Sequence, residues 1–161
     1  MSSPLPLPGE IAPGFTLPQD GGADISLAEQ RGGRVLLFFY PRDNTPGCTT
    51  EALEFTARAQ AFSDAGVRIF GISKDSLKKH ENFRAKHGLG VPLLSDADSD
   101  VCERYGVWGE KKNYGRSYMG ITRTTVLIDA EGRVERVWAK VRVKGHVDEV
   151  LAAVQGKVAS E

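Results

Sequence analysis

Val35-Leu-Leu-Phe-Phe-Tyr40, set between Gly32-Gly33 and Pro41, is a short continuous apolar run, the pattern of a β-strand covered on both faces. Val67-Arg-Ile-Phe-Gly-Ile-Ser73, after the turn at Gly66, reads the same way. Between them, Cys48, Ala52, Phe55, Ala59 and Phe62 recur at steps of four, three, four and three, the stripe of one amphipathic helix. Strand, helix and strand in this order favour two parallel strands joined by a right-handed crossover. Active residues then belong at the carboxyl end of the strands.

The alternation continues downstream. Asp75 is expected to cap a second helix that runs to about Lys86 and ends at Gly88. Val91-Pro-Leu-Leu94 reads as a short strand, and Asp98 to Tyr105 as a helical turn. Thr124 to Ile128, the turn at Glu131-Gly132, and Arg133 to Val141 form an expected antiparallel hairpin, with a last helix from about His146. Residues 1–14, with Pro4, Pro6, Pro8 and Pro13, suit an extended lead-in. The expectation is an α/β fold with a mixed central sheet and helices on both faces.

At 161 residues, the chain suits a single domain spanning 1–161. With 40% hydrophobic and 26% charged residues, it has enough apolar side chain to fold alone. Lys plus Arg and Asp plus Glu both total 21, so no global field draws nucleic acid or anionic lipid. The longest apolar run, Val35 to Tyr40, is far short of the ~20 residues a membrane-spanning helix needs. MSSPLPLPGE at the start carries no Lys or Arg and no secretory apolar stretch, so a cytoplasmic location is expected. Cys48 and Cys102 are too few for a disulfide framework and are expected to rest as thiols.

Tyr40-Pro-Arg-Asp-Asn-Thr-Pro-Gly-Cys-Thr-Thr50 leaves the first strand, turns at Pro46-Gly47 and enters the helix at Cys48. In a first helical turn the backbone N–H groups lack partners and the dipole is positive, so a thiolate is favoured over a thiol of free pKa ~8.5. Cys48 is therefore a candidate nucleophile. A small buried core residue explains it equally well from position alone. Thr45, across the turn, could donate to a thiolate, hold a bound oxygen, or simply bond nearby backbone. Pro41 and Pro46 stiffen the loop and remove two donors, or merely punctuate it. Arg123, taken alone, reads as a surface strand residue.

Pro41-Arg-Asp-Asn-Thr45-Pro-Gly-Cys48-Thr49 resembles the Pro-x-x-x-Thr-x-x-Cys signature of the peroxiredoxins. Its Thr-Pro-Gly-Cys-Thr form is that of the peroxiredoxin Q or bacterioferritin comigratory protein subfamily. The resemblance extends to Gly71-Ile-Ser73, Pro92-Leu-Leu-Ser-Asp96, Tyr105-Gly-Val-Trp-Gly-Glu-Lys111, and Gly120-Ile-Thr-Arg123 ahead of Leu127-Ile-Asp129, covering nearly the whole chain. It implies a thioredoxin-like fold and a thiol peroxidase of antioxidant defence, reducing hydrogen peroxide and organic hydroperoxides. Electrons would come from thioredoxin or another thiol, with no metal or organic cofactor, and the resemblance leans toward a monomer. It makes Cys48 the peroxidatic cysteine, Thr45 the hydroxyl that contacts sulfur and peroxide, and Pro41 a shield for the pocket. Arg123 becomes the guanidinium that favours the thiolate and polarises the peroxide.

One feature of the subfamily is missing. A resolving cysteine commonly stands five residues after the peroxidatic one or on the next helix, but here those places read Leu53 and Glu81-Asn-Phe-Arg-Ala-Lys86. Cys102 is the remaining thiol, either a buried helix residue beside Val101 and Tyr105 or a resolving partner for Cys48. The second role needs Cα atoms ~4.4–6.8 Å apart in the oxidised state. Otherwise an outside thiol reduces the sulfenic acid, directly or through a mixed disulfide. A Cys-x-x-Cys oxidoreductase is disfavoured by Glu51, three residues after Cys48. A cysteine hydrolase finds only scattered histidines at His80, His87 and His146, and a zinc site finds no close pair of Cys or His ligands. A non-turnover redox sensor or binding module on the same scaffold is the alternative of a different class.

Overall fold

The computed structural model describes residues 4–159. The apolar run forms β3 (Arg34–Phe39), after the short pair β1 (Thr16–Leu17) and β2 (Ile25–Ser26). Its side chains alternate between two cores. Val35, Leu37 and Phe39 join one cluster, and Leu36, Phe38 and the following Tyr40 join the other. A strand buried on both faces is by geometry the middle of its sheet.

β4 (Val67–Ser73) runs parallel to β3, with Phe39 opposite Ile72, and β5 (Leu93–Ser95) runs parallel to β4. On the other side, β8 (Thr124–Ile128) is antiparallel to β3 and pairs in turn with β9 (Val134–Trp138), giving the order β5-β4-β3-β8-β9. The sheet is mixed, as expected. Its free edge at β9 is covered by the lead-in: the Gly9 and Ala12 N–H groups donate to the Val134 and Gly132 carbonyls, at 2.8 and 2.9 Å. Covering an edge in this way removes a template for pairing with another chain.

The helices are divided unequally between the two faces. The cluster containing Leu36 and Phe38 takes α1 (Pro46–Ala57) through Cys48, Ala52 and Phe55, and α2 (Ala59–Asp64) through Phe62. The same cluster takes Phe83 of α3 (Leu77–His87) and Val147, Val150 and Val154 of α5 (His146–Ala159). The opposite face holds the short α4 (Val101–Arg104), with Leu17, Leu27, Tyr105, Val107 and Ile121 around it.

Two expectations change and one element is new. The single helix expected from Cys48 to Phe62 is two helices, broken at Arg58, whose N–H is shared between the Glu54 and Phe55 carbonyls at 3.2 Å each. Its side chain turns away to Asp148 on α5. The cap of α3 is Ser76, whose hydroxyl accepts from the Lys79 N–H, because the Asp75 carboxylate is used elsewhere. The hairpin of β6 (Trp108–Asn113) and β7 (Arg116–Ile121) was not anticipated. Its strands carry Glu110, Lys111, Lys112, Arg116 and Ser117 in place of an alternating apolar face, leaving the left-handed turn at Tyr114 and Gly115 as its local signal.

Candidate active site

The carboxyl end of β3 runs into a loop that α1 closes. Asn44 takes a left-handed conformation (φ 62°), Thr45 is extended, and Pro46 opens the helix, a position where its missing N–H costs no hydrogen bond. The Thr45 carbonyl accepts the Thr49 N–H at 2.8 Å, and the Thr45 hydroxyl donates back to the Arg42 carbonyl at 2.8 Å. Cys48 therefore sits in the first turn of α1, where the backbone N–H groups have no intrahelical acceptor. It is 1% exposed.

Arg123 lies in the link between β7 and β8, far from Cys48 in sequence, and its guanidinium joins two groups of α1. Nη2 stands 3.4 Å from Cys48 Sγ, and Nη1 donates to Glu51 Oε1 at 2.7 Å. A planar fork can hold both groups at once, and a sulfur accepting from a cation fills that role better as thiolate than as thiol. Gly47 leaves room for this approach, since a Cβ there would lie 3.1 Å from Nη2 and press on the guanidinium.

Glu51 is fully buried, and its Oε2 has no hydrogen-bond partner among the described residues. Burial pushes its pKa up to about 7 against the opposing pull of Arg123. Burial also works against the Arg123 cation, but Glu51 and Cys48 outweigh it and raise the guanidinium pKa. Sequence reasoning noted Glu51 only as a non-cysteine. Its spacing of three from Cys48, which puts both on one helix face, was the available signal.

A buried polar network holds the loop from beneath. The Tyr40 hydroxyl donates to Asp43 Oδ1 at 2.6 Å, and Asp43 Oδ2 lies 2.6 Å from His80 Nδ1 on α3. His80 Nε2 lies 3.0 Å from the Leu94 carbonyl. Both ring nitrogens face acceptors, which assigns an imidazolium. Burial alone would lower its pKa, yet the bond and charge of Asp43 raise it. The Asp43 N–H donates to Asp75 Oδ2 at 2.8 Å, and the Ser73 hydroxyl donates to the same oxygen at 2.7 Å. Ligand atoms of Asp43, Asp75 and His80 all lie within 4.8 Å of one another, but these bonds already engage them within the network.

Pro41 and Thr45 line an open cleft of about 720 Å3 between this loop, the start of α3 and the β6–β7 hairpin. Cys48 is not among its lining residues. Cys102 is elsewhere. It is fully buried in the α4 cluster, on the opposite side of β3 from Cys48, and its N–H donates to Asp96 Oδ2 at 2.8 Å. Burial, reinforced by Asp96, pushes its thiol far above the ordinary range. Both cysteines are free.

A pattern describing the AhpC/TSA family matches residues 8–137. The chain belongs to the peroxiredoxins of this family. Among its relatives, the putative peroxiredoxin bcp of Coxiella burnetii is 52% identical over 143 residues, covering 89% of this chain and 95% of that protein. Peroxiredoxin Bcp of Bacillus subtilis is 44% identical, covering 91% and 94%. Among solved structures, Xanthomonas campestris peroxiredoxin Q superposes with a TM-score of 0.83 at 45% identity, over 88% of this chain and 90% of that one. The bacterioferritin comigratory protein of the same organism, solved as trapped intermediate and ligand complexes bearing on alkyl peroxide reduction, gives 0.84 at 44% identity, over 89% and 91%. The mixed sheet flanked by helices is thus the thioredoxin-like fold expected of a peroxiredoxin. Among the described residues, no helix of this peroxiredoxin is long and apolar enough to cross a membrane.

Proposed function

We propose that Cys48 is the peroxidatic residue of this thiol peroxidase and that Arg123, Thr45 and Pro41 serve it. The observation that carries the reading is the Arg123 guanidinium, 3.4 Å from Cys48 Sγ and held in place by Glu51 at 2.7 Å. The sulfur attacks one oxygen of hydrogen peroxide or an organic hydroperoxide in line with the O–O bond. An S–O bond forms, the O–O bond breaks, Cys48 becomes a sulfenic acid, and the departing oxygen leaves as water or alcohol after taking a proton.

Charge spreads along the O–O bond in that transition state. Arg123 and the Cys48 backbone N–H stand where it develops, a kind of contact worth ~10²–10³ in rate for one donor. The Thr45 hydroxyl donates its hydrogen bond to the Arg42 carbonyl, so its oxygen acts as the acceptor for a peroxide O–H. Pro41 walls the cleft without adding a donor that would compete for the peroxide.

The sulfenic acid is returned to thiol by an external thiol, with thioredoxin and small thiols as the two classes of donor. Two free cysteines suit a reducing compartment, the cytoplasm, and the resemblance to the peroxiredoxin Q subfamily supports the monomer as the working unit. Cys48→Ser is expected to abolish peroxide consumption in a coupled thiol assay. Appreciable turnover by that variant ends the assignment, and a single stoichiometric oxidation without recycling would make the protein a sensor.

A further inference from the structure

The cleft lined by Pro41 and Thr45, in the loop that leads to Cys48, carries an excess of positive charge. Arg42, Lys74, Lys79 and Lys111 all line it, against the single carboxylate of Asp75. Asp75 Oδ2 is occupied by the Asp43 N–H and the Ser73 hydroxyl, and Lys74 is bound to Asp96 at 3.1 Å and Glu103 at 2.7 Å. Arg42 and Lys79 are exposed and make no ion pair among the described residues, while Lys111 Nζ donates only to the Ile121 carbonyl, at 2.9 Å. Trp108 and Met119 supply an apolar wall.

The loop that leads to Cys48 is tied down at Asp43 from Tyr40, His80 and Asp75, and its Pro41 and Thr45 line the cleft, while the Cys48 sulfur lies buried behind them. A volume of about 720 Å3 is within the range of small-molecule sites, ~300–1,000 Å3. Cys102 is fully buried and is not among the residues that line this cleft.

We propose that the cleft binds the reductant, a low-molecular-weight thiol bearing carboxylates, with those carboxylates on Arg42 and Lys79 and its sulfur directed at Cys48. This rests on Cys48 being the peroxidatic residue. The bound thiolate attacks the Cys48 sulfenic sulfur, the S–S bond forms as the S–O bond breaks, and the oxygen leaves as water after gaining a proton. A second thiolate attacks the small-molecule sulfur of that mixed disulfide, releasing the Cys48 thiolate and one symmetrical disulfide. Two thiols are oxidised for each peroxide reduced.

The test is steady-state peroxide reduction by the full chain with glutathione, which carries two carboxylates and a net negative charge, against neutral 2-mercaptoethanol. The readout is the ratio of kcat/KM for the two thiols, which cancels any shared effect on the peroxide step or on folding. In the Arg42→Ala/Lys79→Ala double variant this ratio is expected to fall about tenfold, and raising ionic strength from ~0.02 to ~0.5 M should narrow it in wild type. A ratio unmoved by the double substitution overturns the proposal, as does a wild-type enzyme that turns over with thioredoxin but with neither small thiol. Failure of the Cys48 assignment would show separately, as no oxidation of Cys48 by peroxide when every thiol is withheld.

Discussion

Glu51 sets the charge balance next to Cys48. It is a fully buried carboxyl, with one oxygen on Arg123 and the other without a hydrogen-bond partner among the described residues. Its pKa is raised from the ordinary 4.5 to about 7, so the folded protein holds a proton there that the unfolded chain has already lost. Its contribution to stability is therefore fully present below pH 4.5 and is lost as pH rises through about 7. Glu51→Gln keeps the shape and removes the titration. Thermal melts of both proteins between pH 4 and pH 8 should show the wild type losing ground to the variant across that window. Parallel profiles would mean that folding leaves the Glu51 pKa unshifted. Cys48 and Arg123 were legible from the Thr-Pro-Gly-Cys-Thr and Gly-Ile-Thr-Arg motifs, whereas Glu51 was not. A single acid on a helix has no meaning until the strand link that brings Arg123 to it is in place.

The loop between β3 and α1 owes its shape to elements distant in sequence. Tyr40, Asp43 and His80 form a chain from the end of β3 to α3, and His80 closes on the Leu94 carbonyl in β5. Asp43→Asn would leave a buried imidazolium without its counter-charge. Removing one partner of a buried pair costs about 3 kcal/mol or more. The cost is pH-dependent in a definite sense, because the pKa of His80 is raised above its ordinary 6.5. The stability from the pair is present below pH 6.5 and is lost as pH climbs through the higher folded value. Urea unfolding at pH 6 and pH 9 should show a large deficit for Asp43→Asn at the lower pH and a smaller one at the higher. An equal deficit at both would rule out the imidazolium. Sequence reading saw β3, β4 and the start of α1, because apolar runs and turn residues are local signals. It gave the cap of α3 to Asp75 when Ser76 holds it, and passed over His80 as scattered, because partner choice among polar side chains is decided only after the strands align. The β6–β7 hairpin escaped for a related reason: a strand pair exposed over most of its length needs no apolar alternation.

Across the whole molecule, β3 is a wall with a thiol on either side. Cys48 packs with Phe38 and Phe55, and Cys102 with Phe39 and Tyr105. Layers packed on a sheet stand roughly 10 Å from it, so thiols in opposite layers are well beyond the ~4.4–6.8 Å Cα spacing a disulfide requires. Unwinding the first turn of α1 would not help, since Cys102 is itself enclosed and its N–H is tied to the buried Asp96. Its thiol is also held protonated by burial, and a protonated sulfur is a poor nucleophile. Peroxide-treated wild type, measured as an intact chain without added thiol, is therefore expected to gain oxygen at Cys48. Cys102→Ser should behave the same way. A product lighter by two hydrogens in the wild type and absent from Cys102→Ser would instead require α4 to leave the core during each cycle, and would return Cys102 to the role of resolving partner.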